Sequence, residues 1–255
     1  MKLAIDAKNL KYRDLNNAIR KILSGNNKGK LTITNVLGQR YIGDGLKESA
    51  EISIYGIPGN DMAAFMDGPK LEIFGNGQDG IGNTMNSGKV IIHGDAGDIL
   101  GYSMRGGEIY IEKNVGYRCG IHMKSYKSKI PVIVIGGNAG NFLGEYLAGG
   151  IIIVLGLHGA RLNFFPYDED PGIVGNHIGT GMHGGTIYIR ESIADYKLGK
   201  EVKILSLDKE DLKVLEKYIK NYCSYFGADP KKIPMDRFIK LIPYSHRPYG
   251  RLYAY

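Results

Sequence analysis

The chain has 255 residues, of which 43% are apolar and 23% charged, with a formal net charge of +7. This balance excludes a disordered polar chain, and its 37 glycines without a Gly-X-Y period exclude collagen. No apolar run reaches the roughly 18 residues of a membrane span, and Met1-Lys-Leu-Ala-Ile-Asp6 has no hydrophobic signal core. Cys119 and Cys223 are too few for a disulfide scaffold, so a cytoplasmic protein is expected.

From the N-terminus, Tyr12–Leu23 places Leu15, Ala18, Ile19, Ile22 and Leu23 at helical spacing and stops at Ser24-Gly25. Eight short β-branched runs follow, opening at Leu31, Ile52, Leu71, Val90, Ile109, Val132, Ile152 and Ile187. Five of them run into glycine, at Gly56, Gly75, Gly94, Gly136 and Gly156, where corners needing positive φ suit that residue. Met66, Met85, Met104 and Met123 recur every 19 residues, each close to further glycines. A period of about 20 residues marks a solenoid, because a strand–helix–strand unit needs about 30. Nineteen residues hold two or three short strands and their turns, stacked about 4.8 Å from the next coil. The methionines then form an internal ladder of flexible apolar side chains.

The longer intervals mark insertions. Ser125–Pro131 reads as a small loop, and a larger insertion spans roughly 158–176. Within the latter, Phe164 and Phe165 lie beside Asp168, Glu169 and Asp170, as in a contact loop. Beyond the ladder, Asp208 can cap a helix whose apolar side is Leu212, Leu215, Tyr218, Ile219, Tyr222 and Phe226, ending at Gly227. Both helices are expected to cover the open ends of the solenoid. The Tyr-rich stretch from Ile242 reads as extended, suited to the solenoid wall or a neighbour. Three regions result: an N-terminal helical cap (1–30), a β-helix (31–194) and a C-terminal helix with an extended tail (195–255).

Several motifs imitate chemistry. Gly75-Asn-Gly77-Gln-Asp-Gly80 fits G-x-G-x-x-G, yet no crossover helix fits before Val90, so these read as turn glycines. The histidines at 93, 122, 158, 177, 183 and 246 lack tight metal spacing. Cys119 with His122 as base could form a nucleophile, but a separation of three does not align them on a strand, and small thiols are common core residues. Cys223, beside the apolar side of the C-terminal helix, reads as packing. The tail carries 14 Lys/Arg against 9 Asp/Glu from Arg190 onward, too interspersed to argue nucleic acid. Arg105, Arg118, His122, Lys124 and Glu145 flank the Met and Gly positions of successive coils. A solenoid brings them to one wall, either as a solvated face or as a docking surface or channel wall shared with a partner.

Taken together, Gly56-Ile-Pro-Gly-Asn-Asp, Gly82-Asn-Thr-Met-Asn, Met104-Arg-Gly-Gly, Gly116-Tyr-Arg-Cys-Gly-Ile-His-Met-Lys, Gly144-Glu-Tyr-Leu-Ala-Gly-Gly and Gly181-Met-His-Gly-Gly resemble the glycine-repeat (GXGXG) domain ending the glutamate synthase large subunit. More closely, the chain is similar to the free-standing type of archaea and some thermophilic bacteria, over nearly its whole length, most strongly over about 40–190 and less so in the tail. The resemblance implies an all-β, single-stranded right-handed β-helix that binds no cofactor and supplies no catalytic residue. It implies partners: a glutamine amidotransferase subunit, and a synthase subunit that bears FMN and an Fe–S cluster. No amino-terminal Cys, no cysteine cluster and no flavin phosphate motif is evident in this sequence. The related repeat protein of formylmethanofuran dehydrogenase is the alternative scaffold, and an enzyme built on Cys119 the alternative chemistry. Nucleic-acid and membrane partners are not expected, and a homo-oligomer is compatible with the sequence.

Overall fold

The computed structural model describes residues 3–24, 29–158 and 172–245. The eight expected runs form eight strands: β2 (Lys30–Leu37), β3 (Glu51–Ile57), β4 (Asp67–Phe74), β5 (Ser87–Ile92), β6 (Glu108–Ile111), β7 (Val132–Ile135), β8 (Ala148–Val154) and β9 (Gly184–Ile189). Each pairs in parallel with the next, in register at the β-branched positions, so Ile52, Leu71, Val90, Ile109, Ile133, Ile152 and Ile187 form one continuous row. The result is a β-solenoid with one principal 11-stranded sheet.

Alternation explains the packing. Inward residues of each strand, such as Leu71/Ile73 and Ile133/Ile135, are fully buried in a single core together with the residues facing them across the coil. Met66, Met85, Met104 and Met123 lie in that core at 0% exposure, and Met182 and Leu147 extend their ladder. Large side chains buried at about 1.5–3 kcal/mol each offset the entropy of the glycine-rich corners. Each ladder residue closes a tight turn, its N–H donating to the carbonyl three residues back, as Met104 does to Gly101 at 3.1 Å.

The corner glycines have two origins. Gly56 holds φ +124°, outside the comfortable range of other residues, and a Cβ there would also meet Val36 O at 2.1 Å. Gly136 needs no positive φ; a Cβ would lie 1.9 Å from the Tyr222 hydroxyl oxygen and 2.1 Å from Glu112 O. Close approach of neighbouring backbone and side chains, and not only backbone dihedrals, selects glycine.

At the N-terminus a strand absent from the sequence reading, β1 (Leu3–Asp6), pairs in parallel with β2 as the first rung. Helix α1 (Tyr12–Leu23) follows over the expected span, and its Leu15, Ile19 and Leu23 enter the main core, closing that end. Asn16 Nδ2 donates to Arg40 O at 2.9 Å, and Arg20 donates to Asp44 O at 2.5 Å, tying the helix to the next turn.

Helix α2 (Lys209–Phe226) has the expected caps: Asp208 accepts from the N–H groups of Glu210 and Asp211, and Gly227 ends the helix at φ +68°. Its position differs from the expected end cap. It lies on the outer face of the sheet in a second core with Ile91, Tyr110, Val134, Ile153, Leu155 and Tyr188. The cause is the outward position of β5–β9, which is apolar, whereas β3 and β4 carry Ser53 and Glu72 there. Tyr188 Oη donates to Asp211 Oδ1 at 2.7 Å, and Lys240 Nζ lies 2.8 Å from the same oxygen. The far end is closed instead by the segment around Leu198 and Val202 and by an antiparallel pair, β10 (Val202–Leu205) with β11 (Ile239–Pro243), which docks on β9. No helix among the described residues is long and apolar enough to cross a membrane.

Candidate functional site: an aromatic and cationic wall

The coil wall opposite the strands has no regular strand, yet it is bonded to both neighbours. In the coil opened by β6, the N–H of Arg118 donates to Asn141 O (2.9 Å), that of Gly120 to Leu100 O (2.8 Å) and that of His122 to Glu145 O (3.0 Å). Alternate residues therefore bond up and down the stack. The geometry requires positive φ at every second residue, and Arg118 (+56°), Gly120 (+74°) and His122 (+55°) all have it. Left-handed backbone costs an L-residue about 1–2 kcal/mol. Of the equivalent positions in the other coils, two are glycine, Gly80 (+71°) and Gly181 (+69°), while Asp61, Phe65, Thr84, Ile99 and Ser103 also take positive φ. Arg118, His122, Phe142 (+62°), Tyr146 (+52°) and His177 (+62°) retain large side chains at that cost.

These side chains form two columns across the coils. In one, the His122 ring stacks on Tyr146 (5.1 Å, 10°) and meets Tyr102 edge-on (6.0 Å, 86°). In the other, the Arg118 guanidinium sits 4.5 Å from the Phe142 ring centroid, and Phe142 stacks on His177 (4.8 Å, 16°). Arg118 Nη1 donates to Glu145 Oε2 at 2.7 Å, with the Glu145 side chain 12% exposed and that of Arg118 41% exposed. At this exposure the ion pair contributes about 0–1 kcal/mol. Arg105 and Lys124 lie one coil apart along the same edge, exposed, their N–H groups bonded to Met85 O and Met104 O.

Of the sequence candidates, Arg118, His122 and Glu145 come together; Arg105 and Lys124 flank them; Phe164 and Phe165 lie outside the described residues. Sequence reasoning missed Tyr102, Phe142, Tyr146 and His177. A signal existed: His122 and Tyr146 stand one residue before a ladder residue, and Arg118, Phe142 and His177 stand five before one.

The nucleophile alternative fails on burial. Cys119 is 1% exposed within the core, where desolvation pushes its thiol up, away from the reactive thiolate. His122 points its ring to the opposite, solvent-exposed side of the wall, in the aromatic column. Cys223 is buried on the sheet-facing side of α2, and burial raises its thiol too. The imitation dinucleotide loop is a coil corner: Asn76 Oδ1 accepts from Asp95 N (3.0 Å) and Asp79 Oδ1 from Asp98 N (2.9 Å), and no helix follows. Among the described residues no group of three His, Cys, Asp or Glu could hold a metal ion.

Comparison with known proteins agrees with this architecture. Residues 13–245 match the GXGXG motif family. An uncharacterized protein of Methanocaldococcus jannaschii is 51% identical over 258 aligned positions, covering 99% of this chain and 96% of the relative. Among solved structures, a chain of the formyltransferase/hydrolase complex FhcABCD from Methylorubrum extorquens, determined with methylofuran, superposes with a TM-score of 0.59 at 18% identity. That match covers 87% of this chain and 88% of the other, and at this identity it is a likeness of fold. The glycine-cornered coils, their methionine ladder and the match across nearly the whole chain together place this protein in the GXGXG motif family.

Proposed function

We propose that this chain is a non-catalytic structural subunit of a split glutamate synthase. In that role it braces a glutamine amidotransferase subunit against a synthase subunit that forms glutamate from 2-oxoglutarate and glutamine-derived ammonia. The observation that carries the reading is the filled interior: ladder methionines, the inward strand residues and Cys119 leave the coils packed with fully buried side chains. Chemistry-bearing side chains therefore face outward, where they serve recognition. FMN and the Fe–S cluster belong, in this reading, to the partner, and this chain holds neither.

The test is purification of the native assembly. Copurification with an amidotransferase and a flavin/Fe–S protein supports the proposal; a stable native complex lacking both overturns it. A second reading, a scaffold like the repeat protein of formylmethanofuran dehydrogenase, draws support from the likeness to a chain of the FhcABCD complex. The same purification separates the two, since that reading predicts formyltransferase/hydrolase-type partners instead.

A further inference from the structure

We infer that the wall carrying the two columns, Tyr102–His122–Tyr146 and Arg118–Phe142–His177, is the docking face of this chain, and that it receives an acid-rimmed face of one of the two partner subunits. The inference rests on the proposed subunit role and assigns that role to one side of the molecule.

Three observations converge on it. Glycine fits the backbone of this wall, as Gly80 and Gly181 show, yet five of the six column residues are large side chains in the left-handed region. Side chains kept where the backbone favours none point to a use outside the fold. The column composition of Tyr, Arg and stacked rings is that of interface centres, and these rings are held by one another and so lose little freedom on docking.

Charge selects the partner. Arg105, Lys124 and Lys127 are exposed along the rim, and none has an acidic partner among the described residues. Lys127 stands at the tip of the Tyr126–Lys129 turn, closed by reciprocal 3.0 Å backbone hydrogen bonds. Two neighbouring carboxylates are offset by cations, Glu145 by Arg118 and Asp67 by Lys129, while Asp98 keeps its charge and accepts from the N–H of Tyr117. The edge that carries Arg105, Lys124 and Lys127 is therefore cationic beside an aromatic centre. Single-stranded nucleic acid fits less well, because base stacking needs open ring faces, and the faces of His122, Phe142 and His177 are turned on their neighbours.

The experiment uses the full chain and the two purified partner subunits, titrated calorimetrically at low and high salt. One variant combines His122→Gly with Tyr146→Gly, which empties one column while suiting the backbone. A second combines Arg105→Glu with Lys124→Glu, exposed changes that leave the core untouched. Melting curves show that each is folded, and Lys213→Glu, on the exposed side of α2, serves as a control that leaves affinity unchanged. The expected result is at least tenfold weaker binding by both variants, with the charge-reversed one losing most of the salt dependence. Wild-type affinity in both variants overturns this docking face and leaves the subunit role standing. A wild-type chain that binds neither subunit overturns both. Tighter binding to a dT20 oligonucleotide than to either subunit, lost in the variants, overturns the acidic protein partner.

Discussion

The left-handed wall makes an unusual stability ordering testable at His122, where φ is +55°. In most settings glycine is about 0.5–1 kcal/mol worse than alanine, because it loses more backbone freedom on folding. Left-handed backbone costs an L-residue about 1–2 kcal/mol, and glycine escapes that cost. Both replacements lose the same rings, the stack on Tyr146 and the edge contact with Tyr102, so the ring term cancels between them. His122→Gly is therefore expected to be more stable than His122→Ala by about 0.5–1 kcal/mol, the difference of those two costs. For a chain of this size that corresponds to about 1–2 °C in Tm. Urea titration and calorimetry of the two variants at one pH measure it, with a strand position as reference. At Ser53, on the outward side of β3, the ordinary ranking should hold, with Ala above Gly. Alanine equal to or better than glycine at position 122 would refute the reading that this wall is held in a conformation its side chains disfavour.

Other expectations follow from the packing. Cys119 should resist a thiol reagent in the folded chain and react only after denaturation, and Cys119→Ala should leave any activity of an assembled complex unchanged. Gly136→Ala would place a methyl 1.9 Å from the Tyr222 hydroxyl oxygen. It should loosen α2 from the sheet, exposing α2 to limited proteolysis while the methionine ladder stays protected in hydrogen exchange. Burial alone would raise the Asp211 carboxyl, but the Asp208 N–H, Lys240 and Tyr188 hold it below the usual range. A carboxyl depressed in the folded state stabilises above its unfolded pKa of about 3.9 and loses that contribution as pH falls through the folded value. Wild-type stability should therefore drop on acidification below about pH 4, and Asp211→Asn should flatten that drop. The same substitution should cost about 1–3 kcal/mol at neutral pH, because it leaves Lys240 with only the Asp208 carboxylate, 3.6 Å away.

Much of the fold was legible because its signals are local and repeated. The eight β-branched runs, the 19-residue ladder of Met66 to Met123, the span of α1 and the caps of α2 each depend on a few adjacent residues. What escaped depends on partners distant in sequence. Leu3–Asp6 is too short to declare itself a strand and is one because β2 offers an edge. The seat of α2 was written in the outward positions Ile91, Tyr110, Val134 and Ile153, but only a reading that separated inward from outward residues across several strands would have found it. Gly136 looked like a dihedral requirement and is a steric one, set by Glu112 and Tyr222.

The candidate wall was half legible. Charge drew attention to Arg105, Arg118, His122, Lys124 and Glu145, whereas Tyr102, Phe142, Tyr146 and His177 resembled ordinary scattered aromatics. The fixed offsets of Phe142, Tyr146 and His177 from the ladder residues become visible once the coil phase is known. Stacking between coils is a property of that phase, not of any single segment.

In the proposed role this β-helix holds two catalytic proteins on its outside. The most direct measurement of that role is reconstitution of the full chain with the purified amidotransferase and flavin/Fe–S subunits, followed by the mass of the assembly and its glutamine-dependent glutamate synthesis. A stable three-protein complex is expected, with a glutamine-dependent rate that falls when this chain is left out. Full coupling of the two catalytic subunits without this chain, or no association with either of them, would contradict that role.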